Sequence, residues 1–507
     1  MLRLLPLFLL LLYSFFGRSQ TLTAVIIDSA TQKPIPYVTV QLKNKGVITN
    51  EEGRFTFQLN GSITPQDSLL ISCIGYASIG KPIEQFDTKQ IVMAPKAIDL
   101  NPVIVTNKNY SPDEIVDLVE AQIAKNYNLG LTKKRIFLRE TYGNRILKSD
   151  YTLKKSTIKD LDKAFIDNLI DQVPKTNTVY NESLGDLYGG SDADEQKLDL
   201  IKASELYDKS LELDFEVLEK KFNTIMQENV KTDSYFKIKS GLFGTKVDAD
   251  EMFDTEVDST DVAALNKKLE EEKKNKADRK KFFAKYKRET LGNLYQNLPI
   301  FDDTDYNVLF KPGRYDLVLE NFTYLGDAAV YVINFTPKRG EDYKGKLYIN
   351  SDDFALIRMD FENVKPLRDF SLLGVTINEY LAKGRIIFSK GDDAKYHLSY
   401  YDVNKGIRAG FRRPLKIIEK NKNVKGRRKQ NELSMKVDAA FGNRNRYELV
   451  VFDETVLKPS EYGSFKENND VLPKYMPNYD PNFWSGYDII EPNQAIKAFV
   501  SETEIEE

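Results

Sequence analysis

The chain holds one cysteine, one histidine and one tryptophan in 507 residues. Cys73 alone forms no intramolecular disulfide, so an exported chain of this kind must draw its stability from burial. His397 alone excludes Cys–His dyads and histidine-rich zinc sites, each of which needs more of these side chains than the chain owns. No Gly-x-Ser-x-Gly elbow, P-loop or Gly-x-Gly-x-x-Gly fingerprint occurs. An excess of charge is missing too. The 73 basic and 76 acidic residues leave a net charge of −3, no footprint for nucleic acid. Long apolar runs are absent but for one, at residues 4–16.

That run follows Met1-Leu2-Arg3 and precedes Gly17-Arg18-Ser19-Gln20, the layout of a secretory signal peptide, and predicts a leader over residues 1–19 cut between Ser19 and Gln20. It is about a dozen residues long, against the ~20 a membrane span needs. No cysteine lies near the cut, which argues against a lipid anchor. The expected mature chain is exported and has no transmembrane span. With 41% hydrophobic residues it has ample material for cores.

Residues 20–95 read as closely spaced short strands. Residues 21–27 alternate, Pro34-Ile35-Pro36 turns the chain, residues 37–42 alternate again and Lys45-Gly46 marks a turn. Asn50-Glu51-Glu52-Gly53 leads into Arg54-Phe55-Thr56-Phe57, residues 68–74 form an apolar strand, and residues 90–93 supply the last. The order of these strands, with Val38-Thr39-Val40, Thr49-Asn50-Glu51-Glu52-Gly53-Arg54-Phe55 and Ile71-Ser72-Cys73-Ile74-Gly75-Tyr76, resembles the carboxypeptidase regulatory-like β-sandwich. The resemblance implies a transthyretin-like fold, common at the N-terminus of Gram-negative periplasmic and outer-membrane proteins, with no catalytic centre of its own.

Residues 96–110 read as a linker carrying one strand at 103–105. Ser111-Pro112-Asp113-Glu114 then opens a helix that should run to about Tyr127, with Ser111 as cap and Ile115, Leu118, Val119 and Ile123 on one face. A strand at 135–142 follows, within a segment 111–190 that joins the C-terminal domain. Lys125-Asn126-Tyr127 and Arg139-Glu140 resemble the corresponding segment of Gram-negative envelope proteins of unknown function that place the same sandwich before a membrane barrel. Here the charged middle leaves no room for evenly spaced barrel strands, and Glu507 is no barrel-ending aromatic. Residues 191–298 read as a charged helical insertion, helical at 197–218 and 261–294, with a strand at 234–240 ending near Gly241. Residues 299–455 read as a meandering antiparallel sheet, and residues 456–507 as an aromatic-rich cap with an acidic, frayed end from Ser501. The strands at 330–335, 345–349 and 355–357 resemble the curved half-barrel of periplasmic lipoprotein carriers, which implies an apolar groove.

The chemistry-bearing residues are few. Cys73 reads as a small core residue. On a strand, Tyr396, Leu398 and Tyr400 would share the buried face and leave His397 with Ser399 and Tyr401 half-exposed on the other. Asp192/Asp194/Glu195, Asp248/Asp250/Glu251, Asp302/Asp303/Asp305 and Asp352/Asp353 read as turns and not as calcium or glycosidase sites. Arg412-Arg413 and Lys425-Gly426-Arg427-Arg428-Lys429 form a basic patch at a hairpin, either solvated or touching membrane phosphates. Phe483 and Trp484 either cap the sheet or stack on a sugar or lipid.

The fold expected is therefore multidomain α+β: an N-terminal all-β sandwich, helical segments, then an open antiparallel half-barrel-like sheet. No catalytic, cofactor-binding or metal-binding residue is assigned, and no cofactor. The expected function is a non-catalytic binding or assembly module of the periplasm or the periplasmic face of the outer membrane, holding an apolar ligand, a lipid or an outer-membrane protein. The alternatives are an accessory subunit of an outer-membrane transporter, or a hydrolase working through carboxylates.

Overall fold

The computed structural model describes residues 20–501 except 44, 60–62, 87–88, 97–109, 232, 242, 249–261, 426–427 and 468–469. The expected leader, the strand at 103–105, Asp250, Glu251, Gly426, Arg427 and the last six residues lie outside the described residues.

Seven short strands build the N-terminal sandwich: β1 (Gln20–Asp28), β2 (Thr39–Leu42), β3 (Lys45–Ile48), β4 (Arg54–Leu59), β5 (Ser68–Ser72), β6 (Ile79–Pro82) and β7 (Gln90–Met93). They form a three-stranded sheet, β4-β1-β7, against a four-stranded one, β3-β2-β5-β6. Alternating Leu22, Ala24 and Ile26 meet Val38, Val40, Phe55, Phe57, Leu69 and Ile71, all buried between the sheets. Gly53 (φ 67°) makes the turn into β4. A Cβ there would stand 2.7 Å from the Ile26 carbonyl, so only glycine fits. Lys45-Gly46 is not the turn expected of it. Those residues open β3, and the chain reverses at Lys43, whose φ is 55°.

Helix α1 (Pro112–Asn126) starts on a capping box: the Glu114 amide donates to Ser111 Oγ at 3.3 Å and the Ser111 amide to Glu114 Oε2 at 2.7 Å. The remaining strands join one open sheet of 14, interrupted by α2 (Lys163–Gln172), α3 (Ser210–Asn229) and the long α4 (Val262–Gln296). They are β8 (Thr132–Ser156), β9 (Thr176–Gly189), β10 (Lys197–Leu206), β11 (Ser234–Ser240), β12 (Phe243–Asp248), β13 (Tyr315–Leu325), β14 (Ala328–Pro337), β15 (Tyr343–Asn350), β16 (Leu356–Asn363), β17 (Arg368–Leu372), β18 (Val375–Lys390), β19 (Tyr396–Asn421), β20 (Lys429–Val456) and β21 (Lys474–Met476). The path runs β13-β14-β15-β16-β18-β19-β20-β8-β9-β10-β21, with β17 beside β18 and the β11–β12 hairpin beside β19.

The chain is thus mostly β, and the helical middle shrinks. Residues 197–206, expected to be helical, form β10, because Leu198 and Leu200 alternate with Lys197 and Asp199 and bury on one face. Helix begins only at Ser210. Among the described residues no helix is long and apolar enough to cross a membrane, which says nothing of crossing by strands.

The large sheet is covered on both faces. On one, Ile115, Val119 and Ile123 of α1 and Leu291 and Leu294 of α4 pack on Ile136, Leu138, Met359, Ile386 and Leu449. On the other, the sandwich and the C-terminal segment pack on Phe137, Leu184, Ile387, Tyr400, Val450 and Phe452. The groove expected from the half-barrel resemblance is therefore filled by the chain's own helices, a packed core rather than an open trough.

Strand β8 ties the layers together through adjacent residues of opposite sign. Arg139, 1% exposed, pairs with Glu182 at 2.7 Å and donates to the Ile490 carbonyl at 2.7 Å and the Glu491 carbonyl at 3.3 Å. Glu140 points the other way and forms a buried ion pair with Lys287 of α4. Trp484 is 2% exposed and donates its indole N–H to Glu182 at 2.7 Å, so the C-terminal aromatics cap the sheet. The cap does not fray at Ser501, which is buried and donates to Asp208 at 2.9 Å.

Removing one member of the Arg139–Glu182 pair strands a buried charge. Arg139→Met should lower unfolding free energy by about 3–5 kcal/mol, and Arg139→Met/Glu182→Met by clearly less than the two single changes summed. Urea titration followed by tryptophan fluorescence checks this; strict additivity would contradict the pairing.

Candidate functional site

The sheet face beneath the sandwich carries a row of polar residues where a hydrophobic stripe is the usual solution. Strand register sets Lys346, Asp360, Arg385, Asp402, Glu448, Arg139, Glu182 and Ser204 directly opposite one another, one per strand from β15 to β10. Charges alternate along it except at Asp402–Glu448, and Arg446 relieves that clash. Its guanidinium lies 2.8 Å from Asp402, 3.2 Å from Glu448 and 2.6 Å from Glu51 of the sandwich turn. Burial raises the Glu448 pKa, against the pull of Arg446 and Arg139. Burial also works against the Asp360 carboxylate, but Arg358 at 2.5 Å and Arg385 at 2.7 Å outweigh it and hold its pKa below the ordinary value.

Half of this row is sealed under the sandwich and cap. The other half opens into a cleft of about 950 Å³ between the sandwich edge, at Tyr37 and Glu51, and strands β13 to β16 and β18 to β20. Six basic and four acidic side chains line it. Tyr37, which lies under the Arg385 guanidinium at 4.4 Å, has its hydroxyl pushed up to about 12 by burial and by Asp402. Most of the cations are engaged: Lys344 with Glu362 at 3.0 Å, Lys346 with Glu320 at 2.6 Å, Arg385 with Asp360, and Arg446 with three carboxylates. Lys383 and Arg444, both exposed, have no carboxylate partner among the described residues. The cleft is built to be polar and carries its surplus positive charge at one rim.

A second concavity, of about 320 Å³, lies between β3 and the sheet and holds His397. The imidazole is 16% exposed, more buried than its position on the strand suggested, and the face assignment fails past it. A β-bulge at Ser399 shifts the register, so Tyr396 and Leu398 bury toward the helices, Tyr400 toward the sandwich and Tyr401 toward the helices. His397 Nε2 meets Asp393 Oδ1 at 2.9 Å, and Nδ1 lies 3.4 Å from Glu454 Oε1, close enough for charge attraction though without a hydrogen bond. Burial disfavours the imidazolium, yet Glu454 and Asp393 overcome it and raise the pKa above 6.5. Glu454 also faces Lys134 across the ladder. Burial pulls the Lys134 ammonium down to about 8, opposed only by the Glu454 charge.

The remaining candidates fall into structural places. Asp192 and Asp302 accept from backbone amides of their own turns, at 2.9 and 2.8 Å, and Asp305 pairs with Asn297. Asp353 binds Lys390 at 2.8 Å and the Tyr396 hydroxyl at 3.1 Å. Among the described residues no group of three or more His, Cys, Asp or Glu side chains is placed to hold a metal ion. Cys73 is not fully in the core: β5 stops at Ser72, and the cysteine is half-buried at the edge of the sandwich core, its thiol pushed up to about 11 by burial. The charged row has no local signature in the sequence. Neighbours along the row lie 14 (Lys346 and Asp360) to 309 (Arg139 and Glu448) residues apart in the chain, and no local pattern links them.

Residues 22–105 match the family model of the CarboxypepD_reg-like domain, in agreement with the resemblance of the N-terminal strands. No curated protein matches the chain. Among solved structures, the chain is similar to a domain described as an outer membrane lipoprotein-sorting protein from Vibrio parahaemolyticus, at 9% identity and TM-score 0.21, covering 69% of this chain and 97% of that one. It is also similar to a chain of the Pseudomonas aeruginosa MucA/MucB complex, at 6% identity and TM-score 0.16, covering 66% of this chain and 93% of that one. A membrane-associated protein of unknown function from Bacteroides fragilis gives 10% identity and TM-score 0.12, covering 84% and 97%. Scores this low carry no weight for fold or function.

The His397 environment has a pH consequence. Its folded pKa lies above the ordinary 6.5, so its stabilising contribution is complete below 6.5 and disappears as pH rises through the folded value. The wild-type thermal midpoint should therefore fall relative to His397→Asn across that window. Parallel melting curves of the two proteins, measured on either side of it, test this; identical pH slopes would refute the charge pairing.

Proposed function

We propose that this chain is a non-catalytic binding module of the cell envelope whose ligand is polar or anionic and sits in the cleft between the sandwich and the sheet. The observation that carries the reading is the cleft itself, a concavity of about 950 Å³ lined by charged side chains, with Lys383 and Arg444 left over at its rim. Expected as a carrier of apolar ligand, the chain instead fills the helical face of its sheet with its own α1 and α4, and what stays open is charged. Placement in the envelope rests on the leader-like residues 1–19 and on the N-terminal module.

Two features support the absence of catalysis. Nε2 of the single imidazole is hydrogen-bonded to Asp393 and Nδ1 is buried against Glu454, so neither nitrogen is presented to a nucleophile. In the cleft, Asp360 and Asp402 are both clamped by arginines, and Asp360 is held below its ordinary pKa, the opposite of what a general acid requires.

Native mass spectrometry of protein recovered from the envelope tests the reading. A bound anionic species should accompany the wild type, leave at raised salt, and be reduced at least tenfold in Lys383→Glu/Arg444→Glu, since both side chains are exposed and the variant keeps the fold. A copurifying neutral lipid, or a ligand indifferent to both substitutions, would overturn it. An outer-membrane barrel retained through the same rim would favour the accessory-subunit alternative instead.

A further inference from the structure

The hairpin joining β17 to β18 breaks a local rule at its tip. Leu372 pairs with Val375, so Leu373-Gly374 is a two-residue turn, and both residues have positive φ, 50° and 78°. Such a turn prefers Asn-Gly, because a bulky L-residue at positive φ crowds its own backbone. Here the left-handed position holds a leucine that is 54% exposed, next to Leu372 at 57% and Phe370 at 38%. Every residue of β17 is exposed. Neither folding nor solubility accounts for two leucines on a strained, water-facing tip.

The tip is held firmly. The Arg412 amide donates to the Gly374 carbonyl at 2.6 Å, and a Cβ on Gly374 would stand 2.2 Å from the Arg412 carbonyl oxygen, so the turn lies directly on β19. Arg412 itself projects outward, its side chain 82% exposed, with Asp438 3.6 Å away and that carboxylate shared with Lys148. Arg413 reaches the Ser240 carbonyl at 2.7 Å and covers Phe243, 59% exposed at the head of the β11–β12 hairpin. Arg412, Arg413 and Lys148 thus surround the apolar tips, with two carboxylates, Asp438 and Asp150, among them.

We propose that this end of the sheet docks on an anionic lipid surface, with Leu372, Leu373 and Phe243 entering the interface and Arg412 and Arg413 meeting lipid phosphates. The shape is convex, two hairpin heads rather than a groove, and the basic side chains stand just behind the apolar ones, the charge order an anionic bilayer presents. A second copy of the chain would set the same cations against one another. This surface involves neither Lys383 nor Arg444, so it stands or falls separately from the ligand cleft.

Flotation with vesicles of phosphatidylcholine alone, or of phosphatidylcholine mixed with phosphatidylglycerol, tests the proposal on protein starting at Gln20, so that the apolar residues 4–16 contribute nothing. The wild type should bind the mixed vesicles and bind the neutral ones several-fold less. Leu372→Ser/Leu373→Asn should weaken binding about tenfold or more, and Leu373→Asn alone should leave the melting temperature equal or higher because it relieves the turn. Arg412→Gln should reduce binding to the mixed vesicles about five-fold without affecting the neutral ones. Failure of the wild type to float with mixed vesicles would overturn the proposal, as would undiminished binding by the leucine variant. A wild-type dimer that the leucine variant abolishes, with no lipid binding, would assign the tip to self-association instead.

Discussion

The row of charges across the large sheet is the constraint on which the rest of the architecture depends. A sheet covered on both faces ordinarily buries apolar side chains on each. This one commits one position in every strand from β15 to β10 to a charged or hydroxyl side chain, so burial there is tolerable only when every neighbour is in register. A slip of one residue would send Arg385 or Arg139 into the packed helical face and bring Ile386 or Leu138 under the sandwich. The row fixes the register at a cost in stability and in return gives the sandwich, the cap and the sheet a common set of partners.

The layers meet where those partners are. Arg446 joins Asp402 and Glu448 of the sheet to Glu51 of the sandwich turn, and Arg139 joins Glu182 to the carbonyls of Ile490 and Glu491. Glu140, the next residue, reaches the opposite face and anchors α4 through Lys287. Two successive residues of β8 therefore hold both coverings, which follows from the alternation of a strand. The cleft exists because the sandwich covers only part of the row: where its edge ends at Tyr37, the same chemistry that is sealed further along faces solvent. Site and packing are one feature with two degrees of cover.

Helix α1 could be read in full from Ser111-Pro112-Asp113-Glu114 and its apolar spacing, because a cap and an amphipathic face are local. The sandwich strands were legible for similar reasons, apart from the turn expected at Lys45-Gly46, whereas the sequence left Phe483 and Trp484 open between a cap and a stacking surface. The cleft was not legible at all. Its walls come from residue 37, residue 51 and strands between residues 315 and 456, and in isolation each of those charges looks like an ordinary solvated side chain. Residues 197–206 were misread because their charge density suggested a solvated helix, while the two-residue alternation of buried leucines decided for a strand. The Ser399 bulge, which separates Tyr400 from Tyr396, depends on pairing with Ile387 and Phe388 and leaves no trace in the local pattern.

The sequence by itself determined which stretches extend, which coil and which are apolar, and that the chain lacks the imidazoles and thiols of common hydrolytic chemistry, because those properties belong to single residues and their near neighbours. Tertiary structure alone decided that the helices fill the apolar face, that the cations and carboxylates of seven strands line up, and that beside them Lys383 and Arg444 have no carboxylate partner among the described residues. Electrostatic pairing and cover depend on distances across space, and strand register sets those distances only once the whole sheet has assembled.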